Sequence, residues 1–125
     1  MDAYDPYEAP EPDVWLELDE SERIHLVRSY HRRAGIKIPN PELHAATHVI
    51  VENQLAAGEP VVQAAYSRLR DGGLDRHDAI HAIGQVLANT IHAGLTEGGA
   101  SDLNSSYLEA LRGLTAERWL KQELE

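Results

Sequence analysis

The sequence predicts an all-α fold: a small helical bundle of about five to six helices, led by an extended acidic N-terminal arm. Three observations carry this reading. Apolar residues recur at helical spacing in each long segment, and no alternating strand pattern of any length interrupts them. Glycines and prolines fall where helices would stop and start. The 125 residues fit one compact domain with a modest core.

Residues 1–14 combine three prolines with several acids and two tyrosines, and read as a flexible, Pro-rich acidic arm. Val14, Trp15 and Leu16 pin its end to a single helical domain over residues 15–125. Asp19 is the expected cap of the first helix, with Glu22 closing a capping box. Ile24, Val27, Tyr30, His31 and Ala34 continue it at helical spacing, and Gly35 stops it. Pro39 and Pro41 push the residues before them out of the helical region, so an extended connection follows. Asn40 then caps a second helix with Pro41 in its first position. That helix ends near Ala57, at Gly58. Pro60 opens a shorter third helix, stopped by Gly72 and Gly73. Asp75 caps a fourth, with Asp78 at the box position, reaching Ala93 or Leu95. Residues 96–102 read as a loop. Two short helices remain, one around Tyr107 to Leu111 and one from a cap at Thr115 through Trp119. If the third helix returns the chain, the second and fourth lie side by side and roughly parallel.

Formal net charge is -10, from 21 acidic and 11 basic residues. Such a surface repels phosphate backbones, which argues against nucleic acid as a partner. No apolar run approaches the ~18 residues a membrane span needs, and no signal peptide pattern is present, so no membrane association is expected. Cysteine is absent, which removes disulfides, thiolate zinc sites and cysteine nucleophiles. A cytoplasmic protein is the expectation. A homo-oligomer or a protein partner stays open, and nothing here names a substrate.

The seven histidines are the unusual feature. The stretch "PELHAATHVIVENQL" sets His44, His48 and Glu52 four residues apart, each turned ~40° from the last on a helix whose other positions are largely apolar. The stretch "RHDAIHAIG" repeats the spacing with His77 and His81. Two histidines at i and i+4 rise from adjacent turns and can share one ion. Both pairs fall near the start of their helices, so they could converge. The expected ligands are therefore His44, His48, Glu52, His77 and His81. Imidazole with carboxylate and no sulfur suits a divalent metal, with Zn or Fe the best match. His92 lies ~16 Å beyond His81 along the axis and cannot serve the same ion. His25, His31 and His92 receive no role. Gly84 and Ala88, small residues on the stripe of His77 and His81, either admit a neighbouring helix or leave room for a ligand.

The motif His77-Asp78-Ala79-Ile80-His81 is one methylene short of the H-E-x-x-H of zinc peptidases, in which the acid is general base to the bound water. Asp78 is thus the candidate general base, and Glu52 a second candidate catalytic carboxylate. Each has a structural alternative. Asp78 occupies a position where an acid caps free amides, and buried histidines often do no more than bond a carbonyl or carboxylate.

The stretch "NPELHAATHVIVENQL", followed by "HDAIHAIGQVLA" and a late Tyr107, resembles a bacterial family with no assigned activity, the domain of unknown function family 1841. The resemblance rests on Asn40, Pro41, Leu43, His44, His48, Glu52, Gln54, Leu55, His77, Asp78 and His81, and runs from about Pro39 to Leu111. It implies no established function. Asn53 stands where many members carry a second acid, and Asp78 is the Asp that some members carry in place of Glu; both weaken a hydrolase reading more than a simple metal site.

Two functions compete at this point. One is a metal-binding helical protein, a metal-dependent hydrolase or oxidoreductase. The other is a non-catalytic protein-interaction or structural module with core histidines. A weaker third is a pH-responsive element, since histidines titrate between pH 5 and 8.

Overall fold

A computed structural model describes residues 1–37, 39–97 and 102–124. No strand occurs among them, and seven helices do: α1 (Pro12–Glu17), α2 (Glu20–Arg33), α3 (Pro41–Ala56), α4 (Pro60–Asp71), α5 (Arg76–Glu97), α6 (Leu103–Arg112) and α7 (Ala116–Leu124). None is long and apolar enough to cross a membrane. Six coincide with the expected segments. The additional one, α1, forms at the end of the arm. Glu11 accepts the Val14 N–H at 3.0 Å, Pro12 takes the first helical position, and this single turn and a half delivers Trp15 into the core at 0% exposure.

The arm ahead of α1 is not the free tail its composition suggests. Tyr4 is 1% exposed and Pro6 is buried. Five acidic side chains in residues 1–13 keep the segment polar overall, but burial of the aromatic ring of Tyr4 opposes the entropy cost of ordering it.

The expected caps form at three helices. Asn40 accepts the Leu43 N–H at 3.2 Å, Asp75 the Asp78 N–H at 2.8 Å and Thr115 the Arg118 N–H at 3.2 Å. Asp19 stands at the N-cap of α2 but its side chain makes no cap bond, so the capping box with Glu22 is not formed. The α1–α2 corner is held by Arg23 instead, which donates to the carbonyls of Leu16 and Leu18 at 2.8 and 2.7 Å and to Asn53 on α3 at 3.0 Å. Gly35 and Gly58, at φ of +71° and +77°, turn the chain after α2 and α3 in a conformation other residues resist. Of the expected loop, Thr96 and Glu97 belong to α5, and residues 98–101 lie outside the described residues, as does Ile38 of the extended connection.

Two apolar clusters make the core. Tyr4, Trp15, Val27, Ala45 and Val49 form one, between the N-terminal arm, α1, α2 and one side of α3. The other gathers Val51 of α3 with residues of α4 to α7, among them Leu69, Ile80, Ile83, Tyr107 and Leu111. Only α3 contributes to both, which explains why its sequence is apolar on several sides.

Helices α3 and α5 pack together as expected, but not in parallel. Thr47 meets Gly84, His48 meets His81 and Glu52 meets Arg76, so α5 numbering falls as α3 numbering rises. Two contacts impose this sense. A buried ion pair ties the first residue of α5 to the third turn of α3, and Gly84 lets Thr47 come close at the other end. A Cβ on Gly84 would lie 2.7 Å from Thr47 Cγ2. Thr47 cannot easily yield, because its branched side chain is stiff and its hydroxyl donates to the Leu43 carbonyl at 2.9 Å. Gly84→Ala should therefore destabilise the protein by on the order of 1 kcal/mol, overpacking outweighing the gain of about 1 kcal/mol in helix propensity. Adding Thr47→Ser, which deletes the clashing methyl, should restore or exceed wild-type stability in urea unfolding.

Candidate metal centre

Between the two apolar clusters, three helices deliver histidines to one volume. His31 comes from the last turn of α2, His44 and His48 from α3, and His77 and His81 from α5. One donor nitrogen from each of His31, His44, His48 and His81 lies within 4.8 Å of all the others. The closest approaches are His48 Nε2 to His81 Nε2 at 3.0 Å and His31 Nε2 to His44 Nε2 at 3.1 Å. A tetrahedral ion with metal–nitrogen bonds near 2.1 Å needs donors about 3.4 Å apart. The set brackets that value, and small side-chain rotations would reach it. The donors are four imidazoles with no sulfur and no carboxylate.

Two of the rings are oriented by groups of the chain itself. His31 Nδ1 donates to the Val27 carbonyl at 2.8 Å, so its Nε2 carries the lone pair. His48 Nδ1 lies 3.3 Å from the Tyr4 hydroxyl, which in turn donates to Glu52 Oε2 at 2.5 Å.

Glu52 is placed differently from the sequence expectation. Its carboxylate is 1% exposed and forms a two-pronged ion pair with Arg76, at 2.8 and 2.7 Å, besides accepting from Tyr4. It stands one turn beyond His48, behind the imidazoles and outside the four-donor group. Both oxygens are engaged, which leaves a poor ligand or base. Arg76 also donates to the Pro6 carbonyl at 3.0 Å, tying down the N-terminal strand. Burial works against its charge, but the hydrogen bonds and charge of Glu52 prevail and raise its pKa. Burial, then the charge of Glu52, holds the Tyr4 hydroxyl well above the usual phenol range, so it remains a neutral donor.

His77 borders the group without joining it. Its ring is 4.2 Å from that of His81 and 5.3 Å from that of His48, with the edges of Tyr7 and Tyr30 on its other side at 5.2 and 5.8 Å. Its Nε2 is buried and has no hydrogen-bond partner among the described residues.

On the opposite side His44, His48 and His81 face a cleft of about 400 Å³ between α3, α5 and α7. Its walls include Asp78, Thr47, Gln85 and Trp119, and no lysine or arginine. A small molecule could thus approach the imidazoles from this side. Asp78 is half-buried on the cleft wall, and its N–H donates to the side chain of Asp75 at the start of α5. His25 and His92 are exposed, away from the cluster.

Burial is the first cause that lowers the pKa of His44, His48, His77 and His81. His44, His77 and His81 all fall to about 4, with neighbouring imidazoles adding to the effect, and His48 falls further. His44, His48 and His81 are therefore neutral at pH 7, the form that metal binding requires.

A family model described as Domain of unknown function (DUF1841) matches residues 9–113. The chain belongs to this family. No curated protein and no solved structure matches it. In this DUF1841 chain the match spans α1 to α6 and so contains every histidine of the cluster, Glu52 and Arg76. Tyr4, Pro6 and Tyr7 precede it. The i, i+4 spacing pointed to His44, His48 and His81, and the structure brings these together. It could not point to His31, which has no histidine one turn away. The available signal was a polar ring in line with Val27 on the apolar stripe of α2, and that pattern fits an ordinary core residue equally well.

Two outcomes follow from this geometry. The unfolded chain takes up protons near pH 6.5, whereas the native imidazoles resist until about 4. Metal-free protein should keep this stabilisation above pH 6.5 and lose it as pH falls towards 4, seen as a falling melting temperature in a buffer series. Arg76→Met should cost about 3–5 kcal/mol in chemical denaturation, because it leaves the buried Glu52 carboxylate without its counter-charge.

Proposed function

We propose that this protein binds one divalent metal ion through His31, His44, His48 and His81, and that it acts as a metal-dependent hydrolase. One observation carries the reading: four imidazole donors converge within 4.8 Å, and three of them face a cleft. An all-imidazole set suits Zn, with Fe the second choice, and disfavours hard cations such as Mg and Ca. When bound, such an ion would supply Lewis-acid activation of water or of a substrate carbonyl or phosphoryl group. Within the chain, the roles divide by position. His31 and His48 present lone pairs fixed by their Nδ1 partners. Tyr4, Tyr7 and Tyr30 shield the rear of the cluster, and the cleft walls position the substrate. Asp78, on the cleft wall, takes the proton of the attacking water and returns it to the leaving group, so that one water is added across the scissile bond. The acidic, cysteine-free sequence suits a cytoplasmic setting for this activity.

A second reading has an observation of its own. The nitrogen contacts at 3.0 and 3.1 Å are also hydrogen-bond distances, so His44 and His81 could donate to His31 and His48 with no ion present. The protein would then be an interaction module whose histidines only complete the core.

The two readings part on a single experiment with protein purified without a polyhistidine tag. Elemental analysis should find about one equivalent of Zn or Fe. A chelator should lower the melting temperature to that of His81→Ala and leave the variant unmoved, since an ion at 1,000 times its Kd adds about 4 kcal/mol. A chelator-insensitive wild type with no bound metal would favour the interaction module. Asp78→Asn should retain the metal and lose at least tenfold in turnover on chromogenic esters or phosphoesters.

A further inference from the structure

The sequence pattern treats Glu52 as the third member of a ligand series, and the family match leaves Tyr4 out altogether. Their geometry assigns both a different task. Glu52 is ionised, being paired with Arg76 through both oxygens, and an ionised carboxylate only accepts hydrogen bonds. The single proton of the Tyr4 hydroxyl must therefore go to Glu52, along the 2.5 Å contact. What remains on the Tyr4 oxygen is acceptor capacity, and the atom facing it at 3.3 Å is His48 Nδ1. A neutral imidazole carries one N–H. With that proton on Nδ1, the Nε2 of His48 is bare and points at His81, 3.0 Å away.

We propose that Tyr4 is a positioning residue for the metal centre: held by Glu52 and Arg76, it fixes His48 in the Nδ1–H form and so aims the Nε2 lone pair at the other three imidazoles. The proposal rests on the metal-binding reading above. It makes the N-terminal strand a working part of the site. Arg76 secures that strand by its bond to the Pro6 carbonyl, and the Tyr4 ring is seated edge-on to His48 and against Trp15 and Tyr30. The direction of the chain matters. Each group can donate only to the next, from His48 to Tyr4 to Glu52, and Arg76 closes it with two donors. It does for His48 what the Val27 carbonyl does for His31. Outer partners of this kind set the tautomer and basicity of a ligating imidazole, and their loss commonly weakens metal binding 10- to 100-fold.

Tyr4→Phe is the discriminating variant, because it keeps the buried ring and deletes only the hydroxyl, while Glu52 retains Arg76. Tyr107→Phe is the control. It removes another buried phenol, bonded at 2.6 Å to Gln54 and remote from the histidines. The first readout needs no metal. Long-range ¹H–¹⁵N imidazole spectra of ¹⁵N-labelled metal-free protein at pH 8 should show His48 protonated at Nδ1 in wild type and in Tyr107→Phe. In Tyr4→Phe the same ring should shift to a mixture or to Nε2–H. The second readout is titration with Co²⁺ as a spectroscopic probe. Tyr4→Phe should bind 10- to 100-fold more weakly than wild type with altered visible bands, and Tyr107→Phe should match wild type. An Nε2–H tautomer for His48 in wild type would overturn the proposal. So would a Tyr4→Phe variant with unchanged tautomer and Co²⁺ affinity. Wild type that shows the stated tautomers but takes up no Co²⁺ would support the role of Tyr4 at His48 and remove the metal reading instead.

Discussion

The buried ion pair between Arg76 and Glu52 is the constraint from which the rest of the architecture follows. Charges of this kind are costly to remove from water, and they persist only where their geometry is good and their remaining bonding capacity is used. Here the geometry is good, and the bonding capacity is used except at Arg76 Nε, which is buried without a hydrogen-bond partner among the described residues. Glu52 meets two guanidinium nitrogens and a phenol, and Arg76 meets two carboxylate oxygens and a backbone carbonyl. Because Arg76 opens α5 and Glu52 sits in the third turn of α3, the pair sets the sense in which these helices pass. That sense brings His48 opposite His81. The pair also engages the N-terminal arm, through the Pro6 carbonyl and the Tyr4 hydroxyl.

Placement of the histidines between two apolar clusters has an electrostatic logic. The Glu52 and Arg76 charges cancel, and His44, His48, His77 and His81 are neutral near pH 7. These groups together carry no net charge, and they can be enclosed without the desolvation cost of isolated ions. It is nonetheless rich in lone pairs. A divalent ion entering it would add charge that none of the four nitrogen donors offsets, which favours binding an anionic or strongly polarised ligand in the cleft.

Much of this was legible in the sequence, where a local rule sufficed. Asn40 with Pro41, Asp75, and Gly58 marked helix ends through short-range capping and backbone geometry, and α3 to α7 lie where those signals put them. The paired spacing of His44 with His48, and of His77 with His81, identified two sides of the cluster for the same reason. What escaped was non-local. His31 joins through the packing of α2 on α3. Glu52 shares a stripe with the ligands, yet its partner Arg76 lies 24 residues away, and nothing in its own helix announces that pairing. Connection lengths alone do not determine how helices cross, so the antiparallel run of α3 against α5 is not legible in them. Asn53, read as a lost acid, turns out to face away from the cluster and to accept from Trp15 and Arg23.

The docking of the N-terminal strand sets an order of events during synthesis. Pro6 and Arg76 are separated by 70 residues, and Tyr4 and Glu52 by 48. At 5–20 residues per second the ribosome would need roughly 4–14 s to supply the guanidinium that the Pro6 carbonyl awaits. For that interval the Pro6 carbonyl lacks its partner. The composition of the segment suits the wait: Asp2, Asp5 and Glu8 keep it hydrated, and Pro6 and Pro10 deny it the regular backbone bonding that strand aggregation requires. The features that make this segment look permanently disordered thus also suit a segment whose last bond must wait for a residue 70 positions on.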